Sequence, residues 1–161
     1  MAPAYKHGGH RIALGLQALG AGTSADTSEL FVYDGEAASI LGTYDASVEV
    51  IQSAVLAFDA TVTGAATNYF SVVLAQYSSA GVLKNEVEYS FQSGVNATAF
   101  VPIDLSGPVA GGLTNPTGVP IQGDGWLIAE GDVFQVKRLS TGTGLASPGF
   151  GVTLKIGSYG S

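Results

Sequence analysis

The chain predicts an all-β protein, a single jelly-roll sandwich of about eight antiparallel strands with an extended N-terminal arm. Three observations carry that expectation. Apolar residues in 54–105 recur with a period of two, so that Phe70, Val72 and Leu74 share one face and Val87, Tyr89 and Phe91 another. Side chains on a strand alternate between faces, whereas a helix would repeat every three to four residues. Turn chemistry separates these runs at Gly64–Asn68, Ser78–Gly81 and Ser93–Asn96. Glycine is abundant (23 residues), Val, Thr, Tyr and Phe recur, and Lys, Arg and Met are scarce, a bias opposite to that of helical proteins.

In chain order, residues 1–29 are read as an arm and 30–161 as the sandwich domain. The arm combines HGGH and GAGTSADTS, which are coil chemistry, with an alternating stripe of Ile12, Leu14, Leu16 and Ala18. That stripe has no hairpin partner nearby, so it is expected to pair with the edge of its own sandwich or of a neighbouring chain. Residues 12–20 behind Lys6 and Arg11 superficially resemble a secretion signal. Gly15 and Gln17 weaken the apolar run, however, and no convincing cleavage site follows.

Asp34-Gly35 marks a turn between short strands. A long extended run then begins at Val48 and Val50 and puts Ala54, Leu56 and Phe58 on one side, with 61–63 closing it. Val101, Ile103 and Leu105 form the last alternating run of the centre. Residues 106–125 hold three Pro and six Gly, which forbid a regular ladder. A loop of that length signals binding, an oligomer contact or a disordered excursion. Trp126–Ala129, Val133–Leu139 and the alternating Val152, Leu154 and Ile156 supply the closing strands. Eight strands with uneven loops suit a jelly roll, and a seven-stranded immunoglobulin-like sandwich is the rival.

Composition narrows the chemistry. There is no cysteine, which removes disulfides, thiol catalysis and cysteine-ligated metals. The formal charge of −7 is split: residues 1–25 hold Lys6 and Arg11 with no acid, and the remainder holds thirteen acids and four bases. Such a body repels nucleic acid, and no apolar run reaches the length of a membrane span. His7 and His10 are the only histidines and lie in the arm, so a histidine triad has no parts. Gly20–Ala25 fits a loose dinucleotide-loop pattern, but no strand–helix context surrounds it. Asp124, Glu130 and Asp132 could donate oxygens to Ca²⁺, although their spacing matches no calcium loop. Glu86 and Glu88 lie two apart on one strand face and cannot flank a cleft as glycosidase carboxylates do. No cofactor and no enzymatic activity are expected. Trp126 with Tyr69, Tyr77 and Tyr89 could form an aromatic shelf, with Tyr89 better placed in the core.

Three stretches carry a resemblance: VTGAATNYFSVVLAQYSSAG (62–81), SGVNATAFVPIDLSG (93–107) and EGDVFQVKRLSTGTGLASPG (130–149). Together they resemble small structural proteins of tailed bacteriophages, the head decoration or minor capsid proteins with a jelly-roll body. The likeness covers roughly 55–157 and leaves 1–53 outside it. Two features depart from the family pattern, the length of 106–125 and the basic pair Lys137-Arg138. The resemblance implies a virion protein on the outer surface of the capsid, with the major capsid protein and itself, as a homotrimer, for partners. Its opposite charge and unpaired stripe lead the arm, through Lys6, Arg11, Ile12, Leu14 and Leu16, to be expected against the shell. The loop with Asn115, Pro116 and Trp126 is expected at an interface, Trp126 serving equally as a core anchor. The competing expectation is a tail- or fibre-associated module that binds host polysaccharide through its loops.

Overall fold

The computed structural model of the chain describes residues 11–16, 25–32, 48–92, 96–105, 117–118, 121, 126–142 and 146–159. They form strands β1 (Arg11–Leu16), β2 (Ala25–Val32), β3 (Val48–Phe58), β4 (Val62–Thr63), β5 (Tyr69–Tyr77) and β6 (Leu83–Phe91). The series continues with β7 (Asn96–Ala97), β8 (Ile103–Asp104), β9 (Thr117–Gly118), β10 (Leu127–Ile128), β11 (Val133–Thr141) and β12 (Phe150–Tyr159). There is no helix among the described residues.

One sheet runs β1-β12-β3, with β8 and β10 both on the far edge of β3; the other runs β2-β11-β5-β6-β9. The strand pairings in both sheets are antiparallel. Among the strands of these two sheets the chain crosses from one to the other at every step except the β5–β6 hairpin, and the last strand returns between β1 and β3. That order is a jelly roll. Alternation builds the core between the sheets: Leu56 and Phe58, Phe70, Val72 and Leu74, Val87, Tyr89 and Phe91, Phe134 and Val136, and Val152 and Leu154 are all buried in one cluster. Tyr89 keeps its hydroxyl satisfied there by donating to the Leu105 carbonyl oxygen at 2.9 Å.

Residues expected in an arm turn out to be integral strands. β1 pairs with β12 over six positions, from Arg11↔Lys155 to Leu16↔Phe150, and β2 pairs with β11 in the opposite sheet. The boundary expected between residues 29 and 30 therefore falls inside β2.

The edge beside β3 explains the Pro/Gly-rich stretch. Leu105 N–H donates to the Ala54 carbonyl, and Ile51 N–H donates to the Trp126 carbonyl. Three positions along β3, the partner chain has advanced 21 residues, so one edge strand is interrupted midway and resumes. Between its halves, β9 pairs with β6 at Val87 and Glu88 in the other sheet, and Ile121 is buried in the core. The insertion thus reaches from the edge of one sheet to the edge of the other. Glycine is required where it docks: Gly118 has φ +109°, and a Cβ there would lie 2.3 Å from the Glu86 carbonyl oxygen.

Two face assignments differ from the sequence pattern. β5 is buried on both faces, with Ser71, Val73 and Ala75 covered as fully as Phe70, Val72 and Leu74. Its outer face carries small residues, and Lys137 from β11 reaches over it to Glu86 of β6, with Nζ 2.8 Å from Oε2. Val101, expected inside, is exposed, because the chain turns at Thr98–Val101 and resumes alternation only at Ile103.

Candidate functional site

The two ends of the sandwich differ in chemistry. At one end β3 finishes and β12 begins, and the two strands pair Phe58 with Phe150. Four phenylalanines gather beneath this end. Phe58 meets Phe70, Phe91 and Phe150 edge-on at centroid separations of 5.7, 5.0 and 5.9 Å, and Phe70 stacks on Phe91 at 5.0 Å. Offset and edge-on rings of this kind are favoured by the ring quadrupole. Above them opens a cleft of about 380 Å³ lined by Leu16, Ala57, Phe58, Asp59, Phe100, Gly149, Phe150 and Gly151. That volume is near the lower limit of roughly 300 Å³ for ligand sites.

Phe100 distinguishes the cleft. It is 78% exposed and sits at φ +58°, the one positive-φ residue other than glycine among those described. Left-handed backbone costs a bulky side chain on the order of 1–3 kcal/mol, and exposing the ring forgoes its burial. The turn is held by its neighbours: Phe100 N–H donates to the Phe58 carbonyl at 2.8 Å, and Ala99 N–H donates to Thr61 Oγ1 at 2.9 Å. The β3 end and the 96–101 segment therefore fix this ring beside the cleft. Its exposure carries no sequence signal, because TAFVP also reads as a buried strand start.

A buried arginine braces the cleft from below. Arg138 is fully buried, donates from Nη1 to the Pro148 carbonyl at 2.8 Å, and places its guanidinium 5.7 Å from the Phe150 ring centre. A planar cation over an aromatic face, bonded to a backbone carbonyl, positions the turn that leads into β12. The basic pair Lys137-Arg138 is thus divided: Arg138 points inward and Lys137 clasps the outer face.

The opposite end is sealed by polar groups. Asp132 is buried, and its Oδ2 accepts from Gln76 Nε2 at 2.7 Å, from Ala129 N–H at 2.9 Å and from Lys84 Nζ. Gln76 Nε2 also donates to the Leu127 carbonyl at 2.8 Å, and Asn85 Nδ2 donates to Gln76 Oε1 at 2.7 Å. This satisfied network ties the 129–132 turn to β5 and β6. Val82, Leu83 and Leu127 are exposed around it.

Several sequence expectations change on this geometry. Leu14 is 5% exposed and belongs to the core, whereas Leu16 is half-buried, packed against the core at the rim of the cleft. Arg11 and Ile12 lie in β1 opposite Lys155 and Leu154. Lys6, Asn115 and Pro116 fall outside the described residues. Trp126 is 2% exposed and is a core anchor, its indole drawn inward where the interrupted edge strand resumes. With Tyr89 also buried, the aromatic shelf expected around Trp126 is not formed. Asp132 Oδ2 is occupied by three donors, Glu130 is exposed and Asp124 lies outside the described residues. Among the described residues no cluster of three His, Asp or Glu could hold a metal. Glu86 is engaged by Lys137 on the outer face, away from the cleft. No helix among the described residues is long and apolar enough to cross a membrane.

The assembled features suit recognition of an apolar surface or segment. Comparison with protein-family models, with curated proteins and with solved structures gave no match in any of the three.

Proposed function

We propose that this chain is a structural virion protein that attaches as an oligomer to the outer surface of a tailed-phage capsid and stabilises the expanded shell. The observation that carries the proposal is the strand order, β1-β12-β3 with β8 and β10 against β2-β11-β5-β6, since the resemblance over residues 55–157 implies a jelly-roll body. A cysteine-free sandwich whose two ends expose apolar side chains is suited to bridging subunits. Leu14 belongs to the core, so the shell contact is assigned to the turn end, where Val82, Leu83 and Leu127 are exposed beside Lys84. The homotrimer and the major capsid protein as partner are part of the same proposal.

Quantitative mass spectrometry of purified particles tests it. Copy numbers that are a simple fraction of the major capsid protein are expected. Absence from particles, or a handful of copies at the tail, refutes the proposal. A Val82→Ser/Leu83→Ser/Leu127→Ser variant should fold and leave the shell underoccupied; full occupancy would move the contact elsewhere.

A further inference from the structure

The two flanks of the sandwich differ. On one, β8 and β10 cover the edge of β3, and β9 pairs with β6 at Val87 and Glu88. On the other, β1 and β2 are the outermost strands of their sheets, and no strand among the described residues pairs with the outer side of either. β2 breaks register with β11 between Gln135 and Lys137, whereas β1 matches β12 without interruption from Arg11 to Leu16. An outermost strand leaves a row of backbone N–H and C=O groups unpaired, and natural proteins blunt such edges with proline, bulges or inward-pointing charges. RIALGL has no proline and no bulge, and its one charge is its first residue. Ala13 and Gly15 are exposed and small, so nothing bulky on them keeps another backbone away.

This edge is complementary to its own image. A two-fold axis normal to the sheet sets β1 antiparallel to a second β1 and keeps inward faces inward, so donors meet acceptors along the joint. Faces stay in step only where opposed residues point to the same side, which centres the pair on Ala13 or on Leu14. The Leu14 register leaves Arg11, the one charge, outside the ladder and sets Ala13 opposite Gly15 of the second copy. The two Arg11 positions then lie roughly 20 Å apart along the strands, so like charges do not face each other. Charge along the flank favours the same alignment. Exposed Lys155 lies opposite Arg11, and exposed Asp59 follows the Phe58–Phe150 pair at the other end. Antiparallel pairing brings the basic end of each copy alongside the acidic end of the other.

We propose that β1 of one copy pairs antiparallel with β1 of a second copy about a two-fold axis at Leu14, joining the two β1-β12-β3 sheets into one. The ladder runs from Ile12 to Leu16, so main-chain hydrogen bonds hold the contact and its small area makes it a weak one. It lies on the flank and leaves Val82, Leu83 and Leu127 at the turn end free for the shell. This inference goes beyond shell attachment and concerns copies of the chain in solution, so it stands or falls without a capsid.

Sedimentation velocity on the full chain from about 5 to 100 μM is the test, beside Ala13→Lys, Ala13→Glu and an equal mixture of the two variants. The parent should self-associate over that range. Like charges beside the axis should weaken association by about fivefold or more in each variant alone, and the mixture, which sets lysine against glutamate, should restore it. Ala13 is exposed, so both variants should fold, which circular dichroism checks. Amide exchange on the parent needs no variant: Ala13–Leu16 should exchange faster on dilution, while the β5–β6 ladder is unaffected. A parent that is monomeric at about 100 μM, or an assembly indifferent to both charges, would overturn the proposal. So would β1 exchange that is the same at both ends of the range. Weakening in both variants without restoration in the mixture would put β1 against a different surface and dismiss the two-fold pairing.

Discussion

Phe58→Ala is the substitution that weighs most on the architecture described above. The side chain is 1% exposed and touches three other rings, two from the opposite sheet and Phe150 beside it. Truncating a buried phenylalanine costs about 3–5 kcal/mol through lost transfer energy and the cavity left behind. Aromatic pairs add about 0.5–1.5 kcal/mol beyond buried area, which sets the expectation in the upper half of that range, near 4–5 kcal/mol. For a chain of this size each kcal/mol moves the midpoint by about 2–4 °C, so a fall of roughly 8–20 °C is expected. Equilibrium urea unfolding followed by the single tryptophan reports the same loss, because Trp126 is buried. Phe100→Ala is the internal control: it lines the same cleft but is exposed, and should stay within about 0.5 kcal/mol of the parent. A Phe58→Ala loss below about 1.5 kcal/mol, or one no larger than that of Phe100→Ala, would refute the four-ring core.

The other predictions concern the two braces, the insertion and pH. Asp132→Ala strands the Gln76 and Ala129 donors and should cost about 2–4 kcal/mol in urea unfolding, and a change under 0.5 would mean the turn end is not sealed by this network. Arg138→Ala should cost about 3 kcal/mol or more, by lost packing and an unpaired Pro148 carbonyl, and Arg138→Lys should rescue only part; full rescue by lysine would dismiss the planar-cation argument. Gly118→Ala should detach β9 and speed amide exchange at Val87 and Glu88, where unchanged protection would show that the insertion is not held there. Alkaline pH should destabilise the fold. Burial, then the nearby Asp104 charge, raise the Tyr89 phenol above its ordinary 10.0. Burial alone would lower Lys137, but its contacts with Glu86 and Tyr77 outweigh that and raise it above 10.5. Both groups hold their protons longer folded than unfolded, so stability is intact below about pH 10 and declines above it. Phenolate absorbance showing Tyr89 ionised at its ordinary value in the folded chain would contradict this.

Much of the sandwich was legible in one dimension. Strict alternation in Phe70–Leu74, Val87–Phe91 and Val152–Ile156 names the inward face of three strands, because a period of two is a local property of extended chain. The covered outer face of β5 was not legible. Ser71, Val73 and Ala75 are covered by side chains that neighbouring strands deliver, Lys137 and Glu86, fifty-one positions apart in sequence, beside Val73 and Ala75, and Ser90 against Ser71. Arg138 and Asp132 look like surface charges in sequence, and their burial depends on carbonyls and amides that other strands deliver. Residues 106–125 read as a loop, yet two separate sheet edges decide that this stretch interrupts one strand and supplies another. The cleft shows the same division. Leu16, Phe58, Phe100 and Phe150 are scattered along the chain and share no motif. Sequence alone determined that alternating strands would form and which side of most would shun water. Which faces were covered, which charges were buried and where a cleft opened were decided by tertiary structure, since each depends on partners brought together only by closure of the two sheets.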